Sequence, residues 1–117
     1  MFEYVYKDVT FPLDMTDVET AERYEEAAER LMKKGEAAPK DGKQSAILRY
    51  LCEAYDAFFD GVFGEGAAAK LFGGRLSVSE KEDAYMALLD CVNAQREARN
   101  EKRNRYLPNR AQRRAKG

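Results

Sequence analysis

The spacing of apolar side chains changes period twice along the chain. Phe2-Glu3-Tyr4-Val5-Tyr6 places an aromatic ring at every second position, and Val9, Phe11 and Leu13 resume the two-residue step across Pro12. Alternation of strand-forming residues predicts extended chain over residues 1–13, as one strand or as a hairpin turning at Lys7-Asp8. A lone hairpin is marginal in water, so an exposed aromatic edge built on Phe2, Tyr4 and Tyr6 is a natural place for a strand from another subunit to add.

Beyond Leu13 the period becomes helical. Val18, Ala21, Tyr24, Ala28, Leu31 and Met32 share one face of a first helix, with Thr16 and Glu19 read as its capping box and Gly35 as its end. Glu19→Arg23, Glu26→Arg30 and Glu29→Lys33 stand at the favourable four-residue spacing on the other face. After a polar connection, Ile47, Leu48, Leu51, Cys52, Tyr55, Phe58, Phe59, Val62 and Phe63 form one wide stripe, which predicts a central helix from about Lys43 to Phe63. Gly64-Glu65-Gly66 ends it, Ala67 to Phe72 has room for one or two helical turns, and Gly73-Gly74 turns the chain again. Ser79 with Glu82 reads as the cap of a last helix whose buried face is Ala84, Tyr85, Leu88, Leu89 and Val92. The expected fold is mainly α: a small bundle of three main helices plus a short helical turn, an extended N-terminal β segment and a basic C-terminal tail. Residues 1–104 form the helical domain in this reading, and 105–117 a flexible tail.

Charge sharpens the picture at the C-terminal end. From Arg96 onward there are nine Lys/Arg against two Glu, a net +7, so the overall −1 leaves −8 on the preceding ninety-five residues. Every position from Gln95 to Asn104 except Ala98 is polar or charged, with Arg96, Arg99 and Arg103 following one another at helical spacing. A basic helix end is favoured by the helix dipole, but the excess continues through Arg105, Arg110, Arg113 and Arg114, well past any helix end. These arginines, with Phe2, Tyr4 and Tyr6, are the candidate partner-binding residues.

Candidate chemistry subtracts more than it adds. The chain has no histidine, and its two cysteines, Cys52 and Cys91, are too far apart in sequence for a paired zinc motif. Both lie in or beside an apolar helix stripe, where a free thiol packs as a small hydrophobe, so buried free thiols are expected. The glycine pairs lack the Gly-Lys-Ser/Thr ending of a phosphate loop and follow no strand. No nucleophile, base and orienting group come together in the pattern, so neither an enzyme nor a cofactor is expected. No apolar run is long enough to span a bilayer and no secretory leader begins the chain, which predicts a protein that stays in the cytoplasm without a membrane partner.

Leu13-Asp14 followed by Glu19-Thr20-Ala21-Glu22-Arg23-Tyr24-Glu25, then Phe58-Phe59-Asp60, Phe63-Gly64-Glu65-Gly66 and Lys70-Leu71-Phe72-Gly73-Gly74, lead to the ending Tyr106-Leu107-Pro108-Asn109-Arg110-Ala111-Gln112-Arg113-Arg114. In that order these segments resemble a family of small proteins from phages and prophages of Gram-positive bacteria, a domain of unknown function commonly placed with tail assembly chaperones. Leu107 stands where similar sequences often have serine. The resemblance implies a helical, non-enzymatic protein of the bacterial host cytoplasm that binds the phage tape-measure protein while a long tail is assembled. It implies no catalytic or binding residue. Two other expectations come from the residues alone: a homo-oligomer formed through the N-terminal strand or the last helix, and, ranked lower, nucleic-acid binding by the basic tail. An acidic body and a single aromatic, Tyr106, within the basic stretch count against the second.

Overall fold

In the computed structural model, which describes residues 2–106, the order of elements is β1 (Glu3–Tyr6), β2 (Val9–Pro12), α1 (Val18–Glu36), α2 (Gln44–Phe63), α3 (Ala67–Phe72) and α4 (Val78–Tyr106). The mainly α expectation holds, with three long helices, one short one and an N-terminal hairpin.

The hairpin closes at Lys7-Asp8 with Tyr4 opposite Phe11 and Tyr6 opposite Val9, so the two alternating runs share one face. That face is covered by helices. The Phe63 ring on α2 stacks against both Phe11, at 4.7 Å between centroids, and Tyr4, at 5.2 Å. The Tyr4 hydroxyl donates to the Ala84 carbonyl on α4 at 2.7 Å. Packing on α2 and α4 thus gives a two-stranded ribbon the support it lacks alone. At the turn, Lys7 takes a left-handed φ of 53° and its ammonium reaches Glu80 at 3.0 Å, while Arg75 holds the same carboxylate from the other side. Hydrogen bonds from Arg75 and then Lys7 hold the Glu80 carboxyl below the usual range.

Both helix starts differ from the capping boxes read in the sequence. Asp14 accepts from the Thr16 amide and hydroxyl, which occupies the side chain expected to cap α1. Asp17 is the cap instead, accepting from the Thr20 amide and hydroxyl, and these bonds lower its pKa. A full negative charge at a helix N-terminus is a better partner for the free amides than a hydroxyl. At α4 the Ser-x-x-Glu pattern occurs twice in overlap, and the earlier serine is used: Ser77 accepts from the Glu80 amide. Gly35 does not stop α1, which runs one residue further and ends at Ala37. Of the three proposed Glu-Arg/Lys pairs on α1, Glu29 with Lys33 is the one that closes, at 3.3 Å.

α2 is the central element, as its stripe predicts, and α1 packs along it where Ala27 meets Gly61. Its buried residues are Cys52, Ala54, Phe58, Phe59 and Val62. The first turns are less covered, with Leu48 39% exposed, because α3 and α4 reach α2 only from about Cys52 onward. α3 adds Leu71 and Phe72 to the core, and Gly66 and Gly73 at its two ends both have left-handed φ.

Two polar side chains lie inside this core. Lys81 is 1% exposed; its ammonium bonds Asp56 at 2.6 Å and sits 4.0 Å from the centre of the Phe72 ring. Gln95 donates to the Leu13 carbonyl at 2.7 Å and accepts from the Met15 amide at 2.9 Å. One side chain of α4 thereby closes the connection between the hairpin and α1. Both cysteines are free, and burial pushes both thiols up, so the nucleophilic thiolate is disfavoured.

Candidate partner-binding groove

The inward face of α4 runs Lys81, Ala84, Leu88, Val92 and Gln95, all buried. The same helical spacing continues through Arg99, Lys102 and Tyr106, which are exposed. The face that packs the core therefore outlasts the core. From Arg96 to Tyr106 the helix extends about 16 Å with every residue exposed.

Where α4 leaves the body, it and the chain start enclose a groove of about 440 Å³ lined by Phe2, Thr16, Gln95, Ala98, Arg99, Lys102, Arg103 and Tyr106. Phe2, Ala98 and Tyr106 supply apolar surface, while the Arg99, Lys102 and Arg103 side chains bring three positive charges. Phe2 is 47% and Tyr106 78% exposed, so two large rings stand uncovered at the groove. A second, smaller cleft of about 220 Å³ lies between α4 and the start of α1, with Arg96 and Arg99 on one wall and Ala21 and Glu25 on the other. Arg99 lines both.

Of the residues singled out in the sequence, Phe2, Arg99 and Arg103 come together in the groove, and Arg96 lines the adjoining cleft. Arg105 is exposed in the last turn of α4. Tyr4 is corrected: it is fully buried and belongs to the core, since its ring is sandwiched into the α2 aromatics and its hydroxyl is bound. Tyr6 is half-buried, its hydroxyl 3.4 Å from the Glu80 carbonyl oxygen. Arg110, Arg113 and Arg114 lie outside the described residues, as does most of the expected tail; the helix itself carries on through Arg105 and Tyr106.

Lys102 and Tyr106 are not among the candidate partner-binding residues read from the sequence, although their signal is present there. Counting back from Tyr106 in helical steps leads through Lys102, Arg99 and Gln95 to Val92, the face of a core helix with charges in place of apolar residues. Arginine guanidinium groups can fork onto carboxylates in pairs of hydrogen bonds, so the groove suits an acidic helical segment with an apolar side chain to insert between the rings. Among the described residues no group of three Cys, Asp or Glu comes close enough to hold a metal ion, and no helix is long and apolar enough to cross a membrane.

Residues 7–117 match the model of a family of unknown function, DUF6673. No curated protein and no solved structure matches the chain.

Proposed function

The chain belongs to the family of unknown function DUF6673, and from its open groove together with the resemblance of its motifs we propose a non-enzymatic, phage-encoded tail assembly chaperone that binds the tape-measure protein in the host cytoplasm. The observation that carries this reading is the groove at the end of α4, where the helix's packing face stands open beside Phe2 and Tyr106. A helical partner laid there meets apolar surface flanked by Arg99, Lys102 and Arg103, the arrangement by which one helix is held in the groove of another. The tail-assembly part of this reading rests on the resemblance of the ordered motifs from Leu13 to Arg114 to tail assembly chaperones.

Co-expression with a tape-measure protein encoded in the same genome tests it. The soluble yield of that partner rises several-fold with the wild-type chain, and the gain is lost with Arg99→Glu, Lys102→Glu and Arg103→Glu combined. An unchanged yield with the wild type removes the chaperone reading.

The exposure of Arg96, Arg99, Arg103 and Arg105 along one helix end also favours a second reading, nucleic-acid binding. Binding of that kind weakens steeply with salt as counterions are released, with a logarithmic slope of about −0.9 per phosphate contacted. Glu25 on α1 faces Arg96 and Arg99 across the adjoining cleft and opposes such binding. Tight, salt-sensitive binding of unrelated DNA would reverse the order of the two readings.

A further inference from the structure

Two helix faces of this chain carry one spacing with opposite charge. On α4, Val92, Arg96, Arg99, Arg103 and Tyr106 follow at steps of four, three, four and three residues; on α1, Val18, Glu22, Glu25, Glu29 and Met32 follow at the same steps. Such steps keep side chains on one helix face, so each set is a stripe of three like charges between two apolar residues. In both, the three charges span about 10 Å along the helix axis.

Nearly all of this surface is open. The six charged residues are exposed, and Val18, Met32 and Tyr106 are 72%, 65% and 78% exposed, while Val92 alone belongs to the core. Among the described residues, Glu29 has a salt-bridge partner, the exposed Lys33, and the other five have none. Within one chain the stripes come near each other only where Glu25 lines a cleft with Arg96 and Arg99, without closing an ion pair, and beyond that point the helices diverge. The residues just before α1 sit at Gln95, through the Met15 amide, whereas Tyr24 lies against Phe58, which in turn touches Tyr85 two to three turns earlier on α4. α1 thus runs back toward the beginning of α4, away from Arg103 and Tyr106.

We propose that the basic stripe of α4 docks on the acidic stripe of α1 in a second copy of this chain. Three arginines meet three glutamates at matched spacing, and the exposed Val18, Met32 and Tyr106 add apolar surface beside them. The two stripes are different surfaces of the protomer, so the contact either closes as a reciprocal pair or repeats head to tail. This goes beyond the chaperone reading and does not depend on it: the α1 stripe lies outside the groove, so changing it tests self-association while leaving the groove intact.

Sedimentation of the full-length chain decides the matter. At low salt, mass increases with protein concentration, and raising salt from about 0.01 M to about 1 M, which shortens the screening length from about 30 Å to about 3 Å, dissociates the assembly. The set Glu22→Lys, Glu25→Lys and Glu29→Lys weakens association between about tenfold and a hundredfold, as expected for three exposed pairs. The set Arg96→Glu, Arg99→Glu and Arg103→Glu does the same, and an equimolar mixture of the two reversed chains associates again. A control of equal charge change on other exposed sites, Glu36→Lys, Asp41→Lys and Glu53→Lys, leaves wild-type association within about twofold. Glu22→Gln, Glu25→Gln and Glu29→Gln read the same loss should the reversed charges disturb α1. A monomer at low salt up to millimolar protein, an effect of the control equal to that of the reversals, or a mixture that stays monomeric overturns the proposal.

Discussion

Lys81 shows how one residue can satisfy opposite demands. Its ammonium is buried, yet Asp56 and the Phe72 ring both favour the charge. Removing the Asp56 charge leaves an ammonium that is 1% exposed without compensation, whereas removing the Lys81 charge leaves a carboxylate that is 35% exposed and open to water. Asp56→Asn is therefore expected to lower stability by about 2–3 kcal/mol, and Lys81→Met by less than about 1 kcal/mol, measured by urea unfolding. Equal losses for both would contradict this account. Tyr4 gives a pH dependence at the same scale. Burial, followed by its neighbours Tyr6 and Cys91, pushes the phenol well above its ordinary value of 10.0. The folded state therefore holds the proton more tightly than the unfolded chain, and that contribution is intact below pH 10 and lost progressively above it. Tyr4→Phe is expected to flatten the alkaline fall in stability while costing about 1–2 kcal/mol at neutral pH through the lost bond to Ala84. Neither role was legible in the sequence. A lysine in a charged helix start reads as solvated until the fold brings Asp56 and Phe72 to it, and an aromatic in an alternating run looks the same whether its covering surface is another strand or a helix.

At the scale of elements, positions of α1 and α2 were readable because their apolar residues repeat over about four turns, long enough for the period to outweigh single exceptions. Their ends were less readable, since several polar residues near each end compete to cap it and the choice depends on neighbours such as Asp14. Glycines show the same division. At Gly61 an added Cβ would come within 3.1 Å of the Ala27 Cβ, while at Gly35 it would meet nothing within 4 Å. Gly35→Ala is thus expected to stabilise by about 0.5–1 kcal/mol through helix propensity alone. Gly61→Val forces α1 and α2 apart and is expected to cost about 1–3 kcal/mol. Thermal unfolding of the two variants should move in opposite directions; a shared direction would mean that the helix crossing is looser than the packing of Ala27 against Gly61 indicates.

For the whole molecule, the separation of charge between an acidic body and a basic end follows from counting residues, and the fold turns it into a geometry. The helices expected to enclose the core do so, but the last one continues past it, a fact visible in the sequence only as the fading of its apolar stripe. The groove could not be read from that fading, since its other wall is the chain start, a hundred residues earlier. Gln95 marks the boundary. Its bonds to Leu13 and Met15 grip α4 at the point of exit, beyond which no described residue is buried. Mechanically α4 is a cantilever clamped at one fulcrum, and a load on its exposed turns is felt first at those two hydrogen bonds of the Gln95 side chain. Amide exchange is expected to quicken sharply from Arg96 onward in the wild type, with the step moving back toward Val92 in Gln95→Ala, and a smooth gradient in both would place the grip elsewhere. A partner pulling on the end of α4 would accordingly transmit its force to the root of the hairpin and the first turn of α1 rather than to the aromatic centre of the fold.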